Sequence, residues 1–221
     1  MYRLIVLFTL FSVSSISQKH VPFTGKLVYS IQITDTSLRK LIPTKTMVVY
    51  TNDTLLRIEN DTDQLGKQVV IKHMVLKKSY LLLRTPIANF AIQADHNTEK
   101  IDSFPYSFKK KWGKTIICGL KANRLKVSNI NFPEKLEFLY LKNISPKYLN
   151  TFENFPGIPV HYYLATEDGI FEYTLVQIDK TVPKKDLFGI PSDFKKVTFD
   201  EFMDEIMQLQ MEQQNPPEKH E

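Results

Sequence analysis

The sequence predicts a mainly β fold of the α+β kind, a curved antiparallel meander sheet or half-barrel of about ten strands with one C-terminal helix. Three observations predict it. Apolar residues recur at every second position through most of the chain, short polar turns separate these runs, and only one stretch, near the C-terminus, carries a helical period.

The chain has 221 residues, 43% hydrophobic and 24% charged, with 7 Gly, 12 Pro and a single Cys. That balance is globular and excludes a collagen, a wholly disordered chain or a multi-span membrane protein. It opens with Arg3, an apolar block from Leu4 to Val13, and small residues at Ser14, Ser15 and Ser17. This is the layout of a secretory signal peptide. Residues 1–17 are expected to be removed, leaving Gln18 first. The apolar block is about half the roughly 20 residues that cross a bilayer, so a cleaved leader is expected and a membrane span is not. No Cys stands near Ser17 to carry acyl chains, so a periplasmic or secreted protein without a lipid anchor is expected. Residues 18–211 form a single domain, and residues 212–221, polar and rich in Pro, read as a disordered tail.

The clearest strand is Lys26 to Thr34, where Leu27, Tyr29, Ile31 and Ile33 share one face. Similar runs cover residues 46–51, 54–59, 68–76, 80–84, 90–94, 115–127, 136–141, 160–164 and 171–179. Asn52-Asp53 and Glu167-Asp168-Gly169 mark tight hairpins, and Asp61-Thr62-Asp63 with Gly66 a longer loop. One wet face per strand means antiparallel pairing, and the apolar face needs a cover. The helical stretch 198–211 supplies one. Thr198 and Glu201 form a capping box, and Phe199, Phe202, Met203 and Ile206 fall on one stripe. In 170–176, Phe171, Tyr173 and Leu175 share a face while Ile170 and Val176 take the other, so a second cover is expected.

Signs of chemistry are sparse. No His pair has metal-ligand spacing, and no phosphate loop, nucleophile elbow or Cys/His signature occurs, so no catalytic residue, metal or cofactor is expected. His20 and His220 fall in mobile ends, His73 and His161 read as cross-strand packing residues, and Cys118 as a buried thiol in an apolar strand. Asn52, Asn60 and Asn143 begin glycosylation triplets that polar turns also generate by chance. Lys109-Lys110-Lys111 and Lys114 surround Trp112. They read as a solvated loop, with an anionic head group or polyanion as the alternative, and no nucleic-acid motif accompanies them.

Ile117-Cys118-Gly119-Leu120-Lys121-Ala122, Phe155-Pro156-Gly157-Ile158-Pro159 and Leu187-Phe188-Gly189-Ile190-Pro191 through Phe194 resemble segments of the GLPGLI-type and related exported proteins of the Bacteroidetes. The sequence departs from that pattern at Ala122, where a Cys is usual, and at Leu120, where an aromatic is usual. The resemblance implies a curved sheet akin to the half-barrel of LolA-like lipoprotein carriers. Together these readings predict an exported, non-catalytic binding protein of the cell envelope. Leu27, Tyr29, Ile31, Ile33, Phe171, Tyr173 and Leu175 would form an apolar face for a lipid or lipoprotein acyl chain. Pairing with another envelope protein through a strand edge is the first alternative, and a hydrolase with an unrecognised site the second.

Overall fold

In the computed structural model the alternating runs become twelve strands of one open, mostly antiparallel sheet, ordered β12-β6-β5-β4-β3-β2-β1-β11-β10-β9-β8-β7. The structure describes residues 20–62, 66–86, 88–94, 106–149, 152 and 155–214, with the backbone alone beyond 208. The proposed leader, most of the tail and His96 lie outside them. The first six strands are β1 (Thr24–Ile33), β2 (Lys45–Asn52), β3 (Leu55–Thr62), β4 (Gly66–His73), β5 (Lys78–Arg84) and β6 (Asn89–Ala94). They step outward in sequence order from β1. Next come β7 (Ser107–Ile117), β8 (Leu120–Ser128), β9 (Leu136–Leu141), β10 (Ile158–Thr166) and β11 (Gly169–Asp179), which run back inward until β11 pairs with β1. The short β12 (Lys195–Val197) then lies parallel to β6.

Twelve strands, against about ten expected, arise from two misjudged segments. The run 115–127 is not one strand: Cys118 and Gly119, at φ 48 and 74, form a two-residue turn that separates β7 from β8. The lysine segment before it, expected as a loop, is the first half of β7. β12 is the other addition, three residues whose pairing depends on where the preceding chain arrives.

Cross-strand register gives each face its cover. Leu27, Val49, Ile58, Val70, Leu81 and Ile92 stand opposite one another in turn on the inner face. Over the centre of the sheet this face is filled by the chain joining β9 to β10, which contributes Tyr148, Leu149, Phe152 and Phe155 to the main core. Gly157 is what allows that chain to return. A Cβ there would lie 2.2 Å from the carbonyl oxygen of Leu141, so only glycine permits the approach.

The outer face of β4 to β6 has its own cover, as two partly apolar faces require. Val69, Ile71, Leu82 and Ala91 pack beneath Ile190 and Phe194, which belong to the strap linking β11 to β12. Arg57 secures the strap by donating from its guanidinium to the carbonyl of Leu187, 3.1 Å away. After β12 the chain crosses to the inner face, where α1 (Phe199–Gln214) sets Phe202 and Ile206 against Phe90 and Ile92.

The capping box forms, with the Thr198 N–H donating to Glu201 at 2.7 Å and the Glu201 N–H to the Thr198 hydroxyl at 3.2 Å. The apolar stripe is narrower than expected, because Phe199 stays 58% exposed. The helix also continues to Gln214, three residues into the expected tail. No helix among the described residues is long and apolar enough to cross a membrane.

Candidate functional site

The seven residues expected to form an apolar binding face lie in the main core. Leu27, Tyr29, Ile31, Ile33, Phe171 and Leu175 are buried, and Tyr173 is half-buried, stacked on Tyr162 at 4.7 Å. Tyr29 crosses β11 to reach β10, where its hydroxyl donates to the carbonyl of Pro159 at 2.9 Å. Burial raises its pKa far above the usual phenol range, so the hydroxyl keeps its proton. Rings of the same chain pack around them: Tyr162 meets Tyr29, Phe138 and Phe152 meet Tyr162, and Phe155 meets Phe152.

Three polar clusters gather titratable groups. Asp53, at φ 73 in the turn between β2 and β3, accepts from Lys147 at 2.6 Å and from the Tyr148 hydroxyl. The same hydroxyl accepts from the N–H of Phe23 at 2.9 Å, so the cluster ties three distant segments together. Desolvation pushes the Asp53 carboxyl up, but the bonds from Lys147 and Tyr148 outweigh it and hold the pKa below the carboxylate norm.

Glu59 lies between Arg57 at 2.6 Å and Lys67 at 2.5 Å on the outer face. Desolvation again opposes ionisation, and the two cations again prevail. His161 has Thr174 Oγ1 3.0 Å from Nδ1 and the Tyr163 hydroxyl 3.1 Å from Nε2. Desolvation lowers its pKa more than Glu172 and Glu137 raise it, so the ring is neutral. In each cluster the polar groups are hydrogen-bonded or ion-paired to one another. Among the described residues, no three His, Cys, Asp or Glu side chains gather to hold a metal ion.

Two positions differ from their expected setting. Cys118 is exposed in the β7–β8 turn, with its thiol donating to the carbonyl of Leu175 at 3.3 Å. His20 is not in a mobile end, since its ring lies 3.2 Å from the carbonyl of Lys142 and Val21 bridges Ile144. A cleft of about 270 Å³ opens on the outer face between strap and sheet, lined by Leu55, Ile71, His73, Tyr80, Phe188 and Ile190. It is smaller than the roughly 300–1,000 Å³ of most ligand pockets.

The remaining feature is the β7–β8 hairpin. Residues 107–128 hold seven of the chain's 29 cations and none of its 24 carboxylates. Without them the net charge of +5 becomes −2, from 22 cations against 24 carboxylates. Among the described residues β7 pairs only with β8, and its other edge meets no strand of theirs. Lys109, Lys126 and Glu137 lie opposite one another across three strands, with Lys111 opposite Arg124 on the same face. Glu137 accepts from Lys111 and Arg124, each at 2.5 Å.

Lys109, Lys110, Lys114, Lys121 and Lys126 are exposed, and no described carboxylate pairs with them. Between Lys111 and Lys114 the register breaks at Trp112 and Gly113, with Gly113 at φ 94. The bulge leaves Trp112 97% exposed. Sequence reasoning identified the cluster and misjudged its setting, because a lysine run has no period-two apolar signal to mark it as a strand. No protein-family model matches the chain, and no curated protein is significantly similar to it.

Proposed function

We propose that this chain is an exported, non-catalytic binding protein of the cell envelope, with the β7–β8 hairpin as its binding element and an anionic partner. One observation carries this reading. The molecule's whole positive excess sits on one hairpin at the end of the described sheet, beside an almost fully exposed tryptophan. Such a field attracts anions and orients the molecule toward them. The inner-face residues support placing binding elsewhere, since their contacts are with the chain's own rings. The leader and the resemblance to GLPGLI-type proteins support the envelope setting.

Retention on an anionic matrix tests the site. Substituting Lys109, Lys110, Lys114 and Lys121 by Gln should bring elution to markedly lower salt. The same change at Lys40, Lys77, Lys180 and Lys184 removes equal charge from other exposed positions and should have a much smaller effect. Equal effects would mean that total charge, and no particular surface, governs retention. Native mass spectrometry of protein purified from its own envelope tests the mode of binding: a stoichiometric apolar molecule held inside would transfer the role to the sheet's interior.

A further inference from the structure

We infer that the hairpin's partner is the surface of an anionic phospholipid bilayer, with the Trp112 ring lodged at headgroup depth between the lysines. This rests on the reading of the hairpin as the binding element and names what it binds. Lysines and a bulge on an edge strand have an alternative explanation, since both discourage strand-to-strand aggregation. That explanation leaves Trp112 unaccounted for. A large apolar ring held 97% in water works against such protection, and the bulge exposes it where a regular strand would alternate it onto a face.

Tryptophan favours the membrane–water boundary because its ring is apolar and its indole N–H can donate a hydrogen bond. Lysines around it provide the attraction to anionic headgroups that a single shallow ring lacks. Ile116, 70% exposed on the same strand, adds apolar surface nearby. The bulge disfavours the competing occupant, an acidic strand added to β7, which the charge alone would also attract. Trp112 and Gly113 interrupt the regular spacing of backbone donors and acceptors that strand addition requires.

Trp112 is the chain's single tryptophan, so its fluorescence reports on this site alone. The full chain is titrated with vesicles of equal parts phosphatidylglycerol and phosphatidylcholine, with vesicles of phosphatidylcholine alone, and with polyglutamate. The expected result is a blue shift and protection from aqueous quencher with the anionic vesicles only, reversed by salt. Trp112→Ala should weaken sedimentation with those vesicles by about tenfold, and the four-lysine Gln variant should abolish it.

Both variants alter exposed side chains, so far-ultraviolet circular dichroism should match the parent. A shift equal on neutral vesicles, or vesicle binding with unchanged Trp112 emission, would overturn the inference. Polyglutamate binding without vesicle binding would also overturn it and leave the hairpin as the binding element. Binding to neither would remove both readings.

Discussion

At the scale of single residues, polar groups in the interior act as fasteners. Tyr29 is 0% exposed, and the hydrogen bond of its hydroxyl spans from β1 to β10. Tyr29→Phe keeps the ring packing and leaves the Pro159 carbonyl without this donor, which should cost about 1–2 kcal/mol. Urea denaturation should show a lower midpoint with an unchanged slope.

Acid sensitivity follows from the same kind of group. His161 is held below the ordinary imidazole value of 6.5, mainly by desolvation. Below that value the unfolded chain binds a proton that the folded chain resists, so stability present above pH 6.5 is lost as the pH falls. Asp53, Glu59 and Glu137 are likewise held below the usual carboxylate range, although desolvation opposes the shift. Their contribution is full above about pH 5 and disappears as pH falls through their folded values. A stability profile against pH should therefore decline in two stages, and His161→Gln should flatten only the upper one.

At the scale of elements, the regular strands were legible and their exceptions were not. Leu27, Tyr29, Ile31 and Ile33 alternate with polar residues, and this alone identifies β1 and its buried face. The same rule fails in β7, where Lys109, Lys110 and Lys111 obscure the period because the edge strand has little to bury. It fails again at β12, whose three residues pair only because the strap delivers them beside β6. The basic cluster itself was visible in the chain, but its concentration at the end of the described sheet depends on pairing between distant strands. The Pro156-Gly157-Ile158-Pro159 turn was legible as a turn, whereas the reason for its glycine was not. That reason is the Leu141 carbonyl, 2.2 Å from where a methyl group would sit. The three nearest atoms, the Leu141 carbonyl oxygen and carbon and the Lys142 Cα, all belong to main chain and cannot rotate away. Gly157→Ala should therefore lower stability by roughly 2–3 kcal/mol, seen as a fall of several degrees in Tm.

At the scale of the whole molecule, the two termini of the fold are treated unequally. β1 lies at the middle of the sheet, flanked by β2 and β11 and packed under the main core, so unfolding there requires global opening. The C-terminal segment instead hooks around the opposite edge, with the strap on the outer face, β12 at the margin and α1 on the inner face. Its helix is held by Phe202 against Phe90, rings 5.2 Å apart and nearly perpendicular, by Ile206, and by the ion pair of Lys195 with Glu205. So few attachments among the described residues should make this end a separate unit of low stability. Phe202→Ala removes the main one, at a cost of roughly 2–3 kcal/mol. Amide hydrogen exchange should then accelerate in α1, β12 and β6 and remain at the parent rate in β1 and β11. Acceleration spread evenly across all strands would mean instead that the helix belongs to the same cooperative unit as the core.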